Sequence, residues 1–139
     1  MTSSERDYRL FACRCVREIE HLLLDPRSIR AIEVAELFAN GAKTPEELQR
    51  AAMDASAAAG EIAMHRPGGG RALAAEAAVW TADASAAKAA SEAPKLAARA
   101  AASERTAGLE TATREARQPF FDAEEKKARQ RQAKIRADM

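Results

Sequence analysis

Thr44-Pro45-Glu46-Glu47-Leu48-Gln49-Arg50-Ala51-Ala52-Met53-Asp54-Ala55-Ser56-Ala57-Ala58-Ala59-Gly60-Glu61-Ile62-Ala63-Met64-His65-Arg66-Pro67-Gly68-Gly69-Gly70-Arg71-Ala72-Leu73 is the stretch whose reading decides the fold. Its first four residues are a helix start. Thr44 accepts a first-turn N–H, Pro45 fits the first helical position, and Glu47 reaches back from the third. Leu48, Ala52, Ala55, Ala59 and Ile62 then recur at steps of four and three, a narrow seam suited to close helix packing. Pro67-Gly68-Gly69-Gly70 must interrupt that helix, because three glycines carry a large entropic cost in one and the proline disfavours helical geometry at Arg66. Beyond it Leu73, Ala77, Trp80, Ala84 and Ala87 repeat the seam, so the two segments are expected to pair as an antiparallel hairpin. A glycine run can also cradle phosphate, but no strand precedes this one and no Gly-Lys-Ser or Gly-Lys-Thr follows.

Towards the N-terminus the same grammar continues. Ser3 or Ser4 is the expected cap of a first helix, with Asp7 completing a capping box. Tyr8, Phe11, Ala12, Cys15, Val16, Ile19, Leu22 and Leu23 mark one continuous apolar face. Leu24-Asp25-Pro26 ends that helix and starts the next, which runs to about Ala39 and stops at Asn40-Gly41. Ala31, Val34, Ala35 and Phe38, flanked by Ile29, Ile32 and Leu37, make this second helix the expected centre of the core. Towards the C-terminus, Pro94 and Pro119 each remove one backbone hydrogen bond and either kink or end a helix, and Gly108 is a softer break.

The expected fold is therefore all-α. Compact N-terminal helices (1–66) lead through a glycine-rich loop (67–70) into alanine-rich helices (71–118), and a charged C-terminal helix (119–139) protrudes. No stretch alternates β-branched or aromatic residues with polar ones over a strand's length. A length of 139 residues suits one domain. Alanine fills 24 of the 52 positions from Ala51 to Ala102, so much of the 47% hydrophobic content is a single methyl group. At about 0.8 kcal/mol per buried CH₂, such seams lean on helix propensity and on the few large side chains. The segment Asp54-Ala55-Ser56-Ala57-Ala58 recurs as Asp83-Ala84-Ser85-Ala86-Ala87, which composition alone explains.

Charge and cysteine content exclude several classes of function. With 22 basic and 21 acidic residues the formal net charge is +1, which gives no global attraction to nucleic acid or anionic lipid. Uncharged runs reach six residues, as in Leu37 to Ala42, whereas a membrane-spanning helix needs about 20 mostly apolar residues. The N-terminal Ser4-Glu5-Arg6-Asp7 is unlike a secretory leader, so a soluble, cytoplasmic protein is expected. Two cysteines are too few and too close for a disulfide framework.

Cys13-x-Cys15 with His21 is the first constellation to test for metal binding. Residues two apart on a helix point about 200° from each other, so both thiols cannot easily hold one ion. Cys15 belongs to the apolar stripe and Cys13 is expected to be more exposed. His21 and His65 stand in no recognisable catalytic motif, and the carboxylates sit among Lys and Arg at helical spacing, as a solvated surface does. Trp80 lies in the seam and is read as core. No catalytic residue, metal or cofactor is assigned.

Phe120 to Met139 carries six basic and four acidic residues, a local net of +2. Lys126, Lys127, Arg129, Arg131, Lys134 and Arg136 are the candidate nucleic-acid contacts. Phe121, Ala128, Ile135 and Met139 form a thin apolar stripe, the candidate partner-facing side, which a neighbouring helix or a second chain in coiled-coil fashion would cover. The functional expectation is a non-enzymatic protein–protein interaction or scaffold module, with a nucleic-acid-associated accessory protein as the alternative. A protein partner or homo-oligomer is expected, and no membrane.

The stretch Leu10-Phe11-Ala12-Cys13-Arg14-Cys15, then Leu22-Leu23-Leu24-Asp25-Pro26-Arg27, Ile32-Glu33-Val34-Ala35-Glu36, Asn40-Gly41 and Thr44-Pro45-Glu46-Glu47-Leu48, resembles uncharacterised alanine-rich helical proteins of planctomycetes. The resemblance covers about the first 50 residues specifically and the remainder by composition. It implies a helical fold and assigns no functional residue. It also implies a further Leu-Arg-Asp-Ile-Phe-Gly-Asn-Pro-Phe-like segment where this chain reaches Met139, so a fragment or truncated member is expected.

Overall fold

The computed structural model describes residues 2–66, 69–106 and 114–139, and the side chains of all of these but 114–117. Among them run six α-helices: α1 (Ser3–Arg17), α2 (Pro26–Ala39), α3 (Pro45–His65), α4 (Gly70–Thr81), α5 (Ala86–Arg105) and α6 (Arg114–Asp138). A 3₁₀ helix at Glu20–Leu22 separates α1 from α2, and the described residues contain no strand. The all-α class is thus the observed one. Gly108 lies outside the described residues, as do Pro67 and Gly68 of the expected loop.

Local signals set most boundaries. Thr44 and Glu47 make both bonds of the capping box at 3.2 and 3.0 Å, and Pro45 opens α3. Asp25 caps α2 by accepting from the Arg27 N–H, and α2 stops at Asn40 with Gly41 in the left-handed region at φ +81°. The first helix differs from expectation: its cap is Thr2 and its box partner Glu5, not Ser3 or Ser4 with Asp7. Glutamate's extra methylene lets Glu5 accept from the Thr2 N–H at 2.7 Å. α1 also ends at Arg17 rather than at Leu23. The chain then tightens into the 3₁₀ turn, which keeps both Leu22 and Leu23 buried.

The largest departure lies between α4 and α5. One continuous seam through Leu73, Ala77, Trp80, Ala84 and Ala87 is expected, yet the helix breaks after Thr81 and restarts at Ala86, leaving Ala84 and Ala87 exposed. Ser85 becomes the cap of α5, accepting from the Lys88 N–H, while the Asp83 carboxylate accepts from the Ser85 N–H at 2.9 Å. These are the local bonds by which Ser and Asp compete with a helical backbone. The earlier copy of the pentapeptide, from Asp54, stays inside α3.

Both internal prolines lie within helices. Pro94 is buried in α5 and Pro119 sits in the second turn of α6, so the C-terminal helix begins at Arg114 rather than at 119. In α3 the buried seam is Leu48, Ala51, Ala55 and Ala58, with Ala52, Ala59 and Ile62 only half-buried at its edge.

Two pairs of long-range contacts orient the layers. Arg9 reaches the α4–α5 corner while His21 reaches Glu104, so α1 and α5 run in the same direction. Gln132 meets Pro94 and Arg99 meets Glu125, so α6 returns antiparallel along α5. By that register residues 114–120 extend past the end of α5 at Arg105, and Gln118, Pro119 and Phe120 are exposed. α3 packs on α2 and on α4, so α3 and α4 pair as the expected hairpin.

The expected centre, α2, lies to one side of the core, between α1, α3 and α4. The middle is the α4–α5 pair, where Ala74, Ala77, Ala78, Ala89, Ala93, Ala98 and Ala100 are fully buried. Methyl-sized side chains let helix axes approach closely, which suits alanine helices to an interior that a bulky α2 cannot occupy.

Candidate interaction surfaces

The C-terminal helix presents less surface than its sequence suggests. Ala128 is buried in the core against α5, and Phe121 and Ile135 are half-buried on the same side. Only Met139 of the apolar stripe is exposed. Ala128 is thus unavailable to a partner, because α5 supplies a face of matching small residues. Gln132, also buried, donates to the Pro94 carbonyl at 2.7 Å and accepts from Arg129 at 2.9 Å. Arg136 lies over the rings of Tyr8 and Phe11, 5.2 and 5.1 Å from their centroids.

The six candidate basic residues therefore divide. Arg129 and Arg136 serve contacts within the fold, and Lys127 pairs with Glu124 at 3.3 Å. Lys127, Arg131 and Lys134 share one flank at steps of four and three, while Lys126 points away from α5.

Histidine and cysteine fall in different surroundings. His21 and Glu104, 83 positions apart, meet at 2.8 Å beside an open cleft of about 680 Å³ lined also by Glu18, Arg105 and Arg131. Both side chains are exposed, and among the described residues the lining of this cleft holds no hydroxyl or thiol. His65 is exposed at the far end of α3. Cys13, expected to be the more exposed thiol, is fully buried like Cys15. α1 is covered on one side by α2 and on the other by α5 and α6, so opposite faces of the helix are both interior. Burial pushes each thiol up to about 12, which suppresses thiolate at neutral pH.

Arg9 is a buried charge that the sequence reading passed over. It donates to the carbonyls of Thr81 at 2.7 Å and Ala84 at 3.4 Å, and its guanidinium lies 5.2 Å from the centroid of the Phe38 ring. It closes the corner where α4 ends, at the electronegative pole of that helix. The available signal was its phase, since Arg9 falls three, four and seven positions before Ala12, Cys13 and Val16.

The outward face of α3 is the surface that sequence reasoning missed. Met53 is 66% exposed and Met64 84% exposed, and between them lie exposed Ala57 and Gly60. A β-carbon added at Gly60 would meet nothing within 4 Å. From Ala55 to Gly60 the helix carries no charge on any side, although solvent-facing helix surfaces are ordinarily charged. Concentration on the inner seam hid this outer one, which shares its four-and-three spacing.

Among the described residues no helix is long and apolar enough to cross a membrane, and no group of three or more His, Cys, Asp or Glu is placed to hold a metal ion. No family model, curated protein or solved structure matches the chain.

Proposed function

We propose that this protein is a non-enzymatic interaction module that presents a helix face to a protein partner. The observation that carries this reading is the outward face of α3, where Met53, Ala57, Gly60 and Met64 form an exposed apolar strip opposite the buried seam of Leu48, Ala51, Ala55 and Ala58. Flexible methionines around small residues suit contact with another helix. The test places a benzophenone amino acid at position 53 or 64 in the native host. Protein adducts that disappear when Ala57→Glu is added support the reading. Absence of such adducts in the folded protein overturns it.

A nucleic-acid-associated role is the second reading, favoured by the flank of Lys127, Arg131 and Lys134 on α6. Three phosphate contacts would give log K against log salt a slope of about −2 to −3. A labelled duplex titrated at two salt concentrations measures it, and binding without salt dependence, or none, removes this reading.

A further inference from the structure

We propose that the α4–α5 corner binds a small monocarboxylate, its oxygens held by the first turn of α5 and the Arg9 guanidinium and its apolar tail laid on Phe38. Glu5, Arg9, Phe38, Ala84 and Ala86 line an open cleft of about 210 Å³ there, room for a short acid rather than for a protein segment. Two independent features make it an anion site. The Ser85 hydroxyl takes the Lys88 N–H, which leaves the Ala86 and Ala87 N–H groups as open donors at the positive pole of a 20-residue helix. Arg9, only 1% exposed, brings a full positive charge to the same cleft, and its Nε–H has no acceptor among the described residues. Its hydrogen bonds to the Thr81 and Ala84 carbonyls spread that charge without neutralising it. Buried charges are ordinarily paired, and a ligand carboxylate is the group that would pair this one.

The carboxylates nearby are engaged elsewhere. Glu5 accepts from the Thr2 N–H at 2.7 Å and Asp83 from the Ser85 N–H at 2.9 Å, so each acts on Arg9 through space and not through a hydrogen bond. The walls then narrow the ligand class. The Phe38 ring and the methyl groups of Ala84 and Ala86 suit an aliphatic tail, while the Glu5 charge on the rim disfavours a doubly charged phosphate more than a singly charged acid.

Butyrate is the probe, titrated at constant ionic strength into the isotopically labelled chain and followed by amide chemical shifts. Shifts at Phe38 and from Ala84 to Lys88 are expected to saturate on the order of 1 mM, as so few ligand atoms allow, and butyramide, the neutral isostere, should give none. Ala86→Pro removes one donor where proline fits a helix start, and should weaken binding about fivefold with the circular dichroism spectrum unchanged. Glu5→Gln keeps the capping box, removes the rim charge and should tighten binding. Should Ala86→Pro disturb the fold, Ala84→Glu at an exposed position supplies the cleft with the chain's own carboxylate and should abolish binding. Shifts that never saturate, equal shifts with butyramide, or binding that survives both Ala86→Pro and Ala84→Glu overturn the site. Inorganic phosphate that saturates the same amides more tightly than butyrate overturns the monocarboxylate assignment.

Discussion

Arg9 shares its helical phase with three interior residues, so α1 carries its guanidinium among apolar side chains, where burial lowers its pKa. What holds it there is the pair of carbonyls left open at the α4–α5 corner and the face of Phe38. Arg9→Met keeps the stem and removes the donors, so the Thr81 carbonyl loses a buried partner. The expected loss is about 2 to 4 kcal/mol, read from the urea midpoint. The thiols make a second prediction at this scale. In the unfolded chain a cysteine ionises near pH 8.5, whereas Cys13 and Cys15 in the fold hold their protons to about 12. The stability associated with the neutral thiols is complete below the unfolded value and falls as pH rises from about 9 towards 12. Denaturation midpoints should decline across that window, less steeply when both cysteines are alanine, and a thiol reagent should react fully only after unfolding.

The two Asp-Ala-Ser-Ala-Ala segments show how context decides an element. In α3 the first copy is helix interior, so Ser56→Ala is expected to be neutral or to stabilise the dilute protein by up to about 0.5 kcal/mol. In the second copy Ser85 caps α5, and Ser85→Ala should cost about 1 kcal/mol. Equal effects at both positions in thermal melts would refute the assigned break. Glycine is just as dependent on surroundings. At Gly70, the first residue of α4, an added β-carbon would lie 3.3 Å from the Ala100 carbonyl oxygen and 3.6 Å from the Glu104 nitrogen. Gly70→Ala must shift α4 against α5 and should lower the melting temperature, whereas Gly60→Ala should raise it.

At the scale of the whole molecule, α6 is both a cover and an extension. Its second half shields Cys15, Ala97 and Ala101 through Ala128 and Gln132, and its first turns run beyond α5. Deleting residues 120–139 is therefore expected to uncover the α1–α5 groove and to lower the thermal midpoint by several degrees, with increased binding of a hydrophobic dye. A truncated chain as stable as the full one would show that α6 adds nothing to the core. Because α5 touches α1, α4 and α6, the fold depends on alanine contacts of high sequence separation, so loss of one cover should propagate to the others.

Much of this was legible in the residues, because helix starts and stops are local chemistry. Asp25-Pro26, Asn40-Gly41 and the Thr44–Glu47 box each satisfy or block backbone groups within a few positions, which no distant contact needs to assist. The all-α class follows from the same signals. What only the tertiary structure decided is which side of an alanine helix faces inward, since a methyl group gains so little from burial that a seam and its neighbour differ weakly. Hence α3 buries Ala51 and Ala58 where the expected stripe ran through Ala52 and Ala59, and Cys13 is interior because helices cover both sides of α1. At the break near Asp83 the local Ser85 and Asp83 bonds are joined by Arg9, a residue more than 70 positions away that donates to the Thr81 and Ala84 carbonyls, a contact only the tertiary structure shows. The outer strip of α3 stayed illegible for the same reason: with alanine on nearly every side, only the packed structure shows which methyls face solvent.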